Sequence, residues 1–319
     1  TSQRCRDMSM NPEILLIAAP HEEWPQHVKA LTAGRLVALQ LDPNAPLASD
    51  TRLESVRVLV GAPQDLSRWV DSCPRLEWIQ STWAGVDALA SQIPHNVVVT
   101  PLKHVFGQAM SEFVMGWILS IERRVITRAT ASKWDSSPEP GVLGKTMGIL
   151  GTGSIGQAVA QAAGHFGIRC KGLNSNGRSV PGFVQCYTAH DPEFFNDLDY
   201  VVSVLPKTDH TTHLINSVSL STLPKGSIIV NIGRGNAIDD QALLSAVKKR
   251  QVKAAVLDVF NQEPLPESHP YWLESNVYVT SHTAAPTMAR LVGHAMANNL
   301  SRFIEGKPLV DVYEPTKGY

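Results

Sequence analysis

The chain has 319 residues, of which 43% are apolar and 18% charged, with 28 Lys plus Arg against 29 Asp plus Glu. That length exceeds one ordinary hydrophobic core and fits two compact domains. The balanced charge excludes a broadly basic, nucleic-acid-binding surface as the basis of function.

In the first third, short apolar runs at residues 13–19, 36–39, 56–60, 76–80 and 97–100 read as buried strands. Helical stretches such as 64–71 separate most of them, which predicts a parallel sheet with helices on its faces. Residues 107–133 then lack proline and have no glycine after Gly116, so one long helix is expected there, bridging domains or subunits. Residues 135–144, with Pro138, Pro140 and two glycines, form an irregular connector.

A second alternation follows. Strands are predicted at 146–150, 168–173, 200–205, 227–232, 253–259 and 276–280, and helices at 155–166, 241–249 and 287–304. Six strands alternating with helices suit a doubly wound nucleotide-binding domain. The last helix is expected to return to the first domain. The fold class is therefore α/β: a Rossmann dinucleotide-binding domain over 104–285, inserted in a flavodoxin-like substrate domain made of 1–103 and 286–319.

No run reaches the length of a membrane span; the apolar stretch 14–19 has neither the long core nor the cleavage site of a secretion signal. Cys5, Cys73, Cys170 and Cys186 are far apart and form no CxxC pair. That spacing argues against a disulfide framework or a metal site, and for a reducing, cytoplasmic compartment.

Gly151-Thr152-Gly153-Ser154-Ile155-Gly156 follows the apolar strand at 146–150 and opens a helix. In that context the G-x-G-x-x-G pattern predicts a dinucleotide site. The glycines serve the tight turn, the approach of backbone to pyrophosphate and close helix–strand packing. An NAD site would place an acidic residue at the end of the next strand. Here that strand runs into Asn174, Ser175, Asn176, Gly177 and Arg178, and no Asp or Glu occurs between Gly156 and Asp191. Hydrogen-bond donors in place of a carboxylate suit a 2′-phosphate, so NADP(H) is favoured over NAD(H).

Three polar residues leave three later strands. Arg234 stands in Asn231-Ile232-Gly233-Arg234-Gly235, Glu263 past Leu257-Asp258-Val259, and His282 in Thr280-Ser281-His282-Thr283-Ala284. Ligands of open parallel sheets bind beyond the carboxyl ends of strands. An arginine fork can grip a carboxylate, a histidinium can protonate a carbonyl oxygen as hydride reaches carbon, and a carboxylate can fix the imidazole. Taken alone, a loop arginine or glutamate is usually a surface charge and a histidine usually just a polar residue; their joint placement points to reduction of a 2-oxo acid.

At these motifs the sequence resembles the D-isomer-specific 2-hydroxyacid dehydrogenase family, along essentially the whole chain. Phe260-Asn261-Gln262-Glu263-Pro264-Leu265-Pro266 and the Lys317-Gly318-Tyr319 terminus resemble its bacterial glyoxylate/hydroxypyruvate reductase branch. No added regulatory domain is expected after Tyr319, which sets the phosphoglycerate dehydrogenases lower. The resemblance implies Arg234 as carboxylate ligand, His282 as acid/base and Glu263 as its partner. It implies Asp258 beside the nicotinamide carboxamide, with Leu205, Pro206, Ile232, Gly233 and Ala284 lining the cofactor. In the outer domain it implies Ala84 and Gly85 as backbone donors to the substrate carboxylate. Trp83 beside them departs from the smaller residue of related reductases, either narrowing the pocket or simply packing. It further implies a homodimer through the long-helix region, with Trp134 reaching the partner's site. A nucleotide-sensing corepressor with weak catalysis is the competing reading, and fold alone does not decide between them.

Overall fold

The computed structural model describes residues 12–46 and 51–316. Cys5 and the Lys317-Gly318-Tyr319 motif lie outside the described residues. The chain divides into two units, one formed by Thr1–Val105 with Thr287–Tyr319, the other by Phe106–Pro286.

In the first unit, β1 (Ile14–Ile17), α1 (Trp24–Thr32), β2 (Ala38–Leu41), β3 (Val58–Gly61), α2 (Pro63–Leu66), β4 (Trp78–Ser81) and β5 (Val98–Thr100) follow in chain order. β1, β3 and β4 are buried at every position, as a parallel sheet covered on both faces demands. Strand order is β2-β1-β3-β4-β5 with every pair parallel, the flavodoxin-like arrangement. The helix expected at 64–71 is instead the single turn α2 followed by a 3-10 segment at Ser67–Ser72. β2 begins two residues later than its apolar run suggested, because an edge strand is placed by pairing with β1 rather than by burial.

The second unit opens on α3 (Gly107–Glu122) and the short α4 (Val125–Ala129). One continuous helix over 107–133 is therefore not what forms. Arg124 adopts a left-handed backbone, φ 51°, and breaks the hydrogen-bond ladder. The chain then folds back, and Glu139 pairs with Arg123 and Arg128 while Asp135 pairs with Arg124.

Beyond this point come β6 (Thr146–Leu150), α5 (Ser154–His165), β7 (Arg169–Leu173), β8 (Gln185–Tyr187), β9 (Tyr200–Ser203), α6 (Ser217–Thr222), β10 (Ser227–Asn231), α7 (Asp240–Lys248), β11 (Val252–Leu257) and β12 (Val277–Val279). The sheet has seven strands rather than the six expected, ordered β12-β11-β10-β9-β6-β7-β8. The extra strand β8 is a three-residue edge whose first residue is exposed, so it carries little of the apolar signal by which strands are recognised. Two apolar layers cover the sheet, one built around Phe194, Leu198 and Tyr271, the other around Val114, Ile118 and Val159. Burial pushes the Cys73 thiol up to about 11 and the Cys170 thiol up to about 12, so neither offers a thiolate near neutrality.

The final helix, α8 (Ala289–Ile304), belongs to the first unit and packs on α1. At Gly293 the two helices come close, since an added Cβ would lie 3.0 Å from the His27 Cβ.

Candidate active site

Every strand of the seven-stranded sheet runs parallel to its neighbours, so their carboxyl ends share one edge. The register makes this concrete: Tyr187, Leu173, Leu150, Ser203, Asn231, Leu257 and Val279 pair in one row across the sheet. All the dinucleotide and catalytic candidates of this unit follow that row by a few residues. The order reverses between β6 and β9, the switch point where ligands of such sheets bind.

The glycine loop lies at that point. Gly151 takes φ 103°, closed to most side chains, and an added Cβ at Gly156 would overlap the Gly151 carbonyl. Nothing lies within 4 Å of the space a Cβ at Gly153 would occupy, and Gly153 caps α5 without a side-chain hydrogen bond. An open cradle and unspent helix-terminal N–H groups fit a pyrophosphate. Leu205, Ile232 and Ala284 are buried near the same edge, and Ile232 and Ala284 share one core layer. Gly233 abuts Leu205 so closely that an added Cβ would sit 2.6 Å from both its N and O. Pro206 follows β9 and Thr152 follows β6 at the same edge, Thr152 with only 6% exposure.

Past β7, Ser175, Asn176 and Arg178 are exposed. Asn174 behaves differently from expectation. Both protons of its amide are committed within the protein, to Thr152 Oγ1 at 3.2 Å and to the Arg178 carbonyl at 3.0 Å. It is thus no free donor for a ribose phosphate.

Arg234 is half-buried and donates from Nη1 to the Gly233 carbonyl at 2.8 Å. Its loop is tied to the strand by Asn231, which donates to the Arg234 carbonyl and accepts from Gly233 N–H. The next residue, Gly235, presses on the backbone of Phe260 and Asn261, leaving no room for a Cβ. The arginine loop and the Glu263 loop are therefore in direct contact.

Glu263 and His282 meet. Nδ1 of His282 lies 2.8 Å from Oε2 of Glu263, while Oε1 accepts the Phe260 N–H at 2.8 Å. A carboxylate only accepts, so Nδ1 carries the proton of this bond. Both side chains are 37% exposed. An exposed pair of this kind contributes about 0–1 kcal/mol to stability, so its value is orientation.

His282 itself sits in the left-handed region at φ 54°, a conformation that persists when its surroundings over-determine it. Here Asp258 does so. Its carbonyl accepts the His282 N–H at 2.8 Å; its carboxylate accepts Thr283 N–H at 2.8 Å, Ala284 N–H at 3.0 Å and the Thr280 hydroxyl. Expected beside the cofactor's carboxamide, Asp258 turns both buried oxygens onto the histidine loop and shapes it.

Sequence reasoning missed Asn231, Thr280 and Gly235. An Asn ending an otherwise apolar strand was the available signal, because a buried polar side chain needs a structural partner.

In the first unit, Trp83 is 37% exposed, Ala84 is exposed and Gly85 half-buried. Ser81 Oγ and the Leu102 N–H hold the Trp83 backbone, fixing this turn after β4.

A doubly wound sheet with a glycine loop at its switch point and a paired histidine on the same edge defines a dinucleotide-dependent oxidoreductase. Residues 115–284 match the model of the D-isomer specific 2-hydroxyacid dehydrogenase NAD binding domain. The chain belongs to the D-isomer specific 2-hydroxyacid dehydrogenase family and is an NAD(P)-dependent enzyme of that class. It is 30% identical over 249 residues to glyoxylate/hydroxypyruvate reductase A of Klebsiella pneumoniae, covering 74% of this chain and 80% of that protein. Among solved structures, a family protein from Aeromonas salmonicida superposes with TM-score 0.86 at 33% identity, covering 95% of this chain and 99% of that one. A family member from Xanthobacter autotrophicus, solved with NADPH and MES, gives TM-score 0.85 at 28% identity, covering 97% and 100%.

Proposed function

We propose that this enzyme reduces a small 2-oxo acid of the glyoxylate or hydroxypyruvate kind to its D-2-hydroxy acid, using NADPH. The observation that carries the reading is the His282–Glu263 pair at 2.8 Å, on the sheet edge that also bears Arg234 and the glycine loop. Bound NADPH supplies a hydride. Arg234 grips the substrate carboxylate and polarises the neighbouring carbonyl. Nε2 of the His282 imidazolium gives its proton to the carbonyl oxygen as hydride adds to carbon, and Glu263 stabilises the charged ring. In the reverse direction the neutral ring takes the hydroxyl proton.

In this reading the N–H groups of Ala84 and Gly85 bind the substrate carboxylate, and Trp83 limits the side chain accepted. In the same reading the enzyme is a homodimer through the α3 region, where Val125, Ile126 and Trp134 are at least half exposed, Trp134 at 95%. Among the described residues no helix is long and apolar enough to cross a membrane, and the cytoplasm is the proposed compartment. The deciding experiment follows NADPH oxidation with a panel of 2-oxo acids. Turnover of none of them would overturn the substrate class proposed here.

Two substitutions test the assignments. Arg234→Lys should raise the substrate KM about tenfold and lower kcat, because a point charge replaces a two-pronged fork; a wild-type KM contradicts the assignment. Arg178→Ala should weaken NADPH about ten- to a hundredfold, the worth of charge-assisted hydrogen bonds, and leave NADH nearly unchanged. Equal losses for the two cofactors mean that Arg178 does not touch the 2′-phosphate.

A further inference from the structure

One side chain joins two loops that leave neighbouring strands. Asn174 is fixed at its backbone, where its N–H bonds to the Tyr187 carbonyl of β8 at 2.9 Å. From there its amide reaches Thr152 Oγ1 in the glycine loop and, across its own turn, the Arg178 carbonyl. Its Oδ1 accepts the Asn176 N–H at 3.3 Å, and Asn176 Oδ1 accepts the Arg178 N–H at 3.2 Å. A primary amide has two protons, and both face inward.

The acceptor is held as firmly as the donor. Thr152 is buried, and its methyl packs on Gly172, where an added Cβ would stand 2.6 Å from Cγ2. Phe183 and Cys186 close the same space at 3.0 and 3.1 Å. Packing of the methyl sets the rotamer and leaves the hydroxyl towards Asn174. The turn thus has a committed inner side and an open outer side, on which Ser175 and Arg178 are exposed.

We infer that Asn174 is a positioning residue: with Thr152 it clasps the pyrophosphate-binding loop to the turn bearing Ser175 and Arg178, and so sets selectivity for a 2′-phosphorylated dinucleotide. The inference rests on the NADP(H) reading above. A turn containing Gly177 at φ 69° has ample freedom when unclasped. Binding a phosphate there must then order the turn first, at an entropic cost. NADH presents no 2′-phosphate, draws little on this turn, and is less sensitive to the clasp.

The test measures dissociation constants for NADPH and NADH in the wild type, Arg178→Ala, Asn174→Ala, Thr152→Val, Thr152→Ser and the Asn174→Ala/Thr152→Val pair. Asn174→Ala and Thr152→Val should each weaken NADPH about five- to tenfold more than they weaken NADH, the scale of a lost hydrogen bond or two. The double variant should be no weaker than the worse single one, because both remove one interaction. Thr152→Ser keeps the acceptor but lacks the methyl that sets its rotamer, so its selectivity should fall between that of Thr152→Val and the wild type.

A loss in Asn174→Ala with Thr152→Val unaffected would overturn the clasp and make Asn174 a direct ligand. Equal losses for both cofactors, additive losses, or full NADPH selectivity in every clasp variant would also overturn it. Failure of the parent reading looks different: the wild type itself shows no preference for NADPH, and Arg178→Ala changes neither affinity.

Discussion

Replacing His282 with alanine should lower turnover by about two to four orders of magnitude, the range for a lost general acid. The geometry makes the expectation specific. Nδ1 is bonded to Glu263, the proposed chemistry passes a proton through the imidazole, and alanine offers no proton donor at that position. Affinity for NADPH should change far less than kcat, because the glycine loop and the Asn174 turn leave other strands of the sheet. Single-turnover and steady-state rates with a 2-oxo acid would decide. Activity within tenfold of wild type would remove His282 from the chemistry.

Asp258→Asn is expected to remove about 2–4 kcal/mol of unfolding free energy and to depress turnover with it. The carboxylate is 1% exposed, and both of its oxygens accept hydrogen bonds from the histidine loop. An amide retains one acceptor and presents N–H groups where the other was. At least one donor on Thr280, Thr283 or Ala284 is then buried facing another donor, and hydrogen bonds to charged groups contribute about 1.5–3 kcal/mol each. The left-handed His282 depends on those bonds, so the ring should lose its alignment with Glu263. Urea denaturation beside kcat measurements is the check. An unchanged midpoint would show that the loop holds without the carboxylate.

Much of this was readable from residues alone, for identifiable reasons. The β6 strand and the glycine loop announce themselves because each glycine answers a steric demand that the structure contains: positive φ at Gly151, open space at Gly153, carbonyl contact at Gly156. The shared sheet edge of Arg234, Glu263 and His282 was legible because parallel strands put their carboxyl ends on one side. What escaped was set by tertiary pairing. Nothing in Glu122-Arg123-Arg124-Val125 interrupts a helical pattern, and the break comes from a non-glycine residue accepting a left-handed backbone. β8 exists because β7 offers a free edge. Asn174 reads as a phosphate donor until its neighbour Thr152 is placed, since only distance shows where an amide's protons are spent.

The insertion of one unit into another has a consequence for synthesis. α1 emerges early, yet α8, which packs on it, lies beyond the whole of Phe106–Pro286. At about 5–20 residues per second on the ribosome, roughly 180 intervening residues keep the first unit incomplete for on the order of ten to forty seconds. During that interval the side of α1 that meets α8, with His27 and Leu31 against Gly293, has no permanent cover. The nascent first third should therefore be the stretch most in need of chaperone protection, while the inserted unit, contiguous in the chain, can fold as soon as β12 is clear of the exit tunnel.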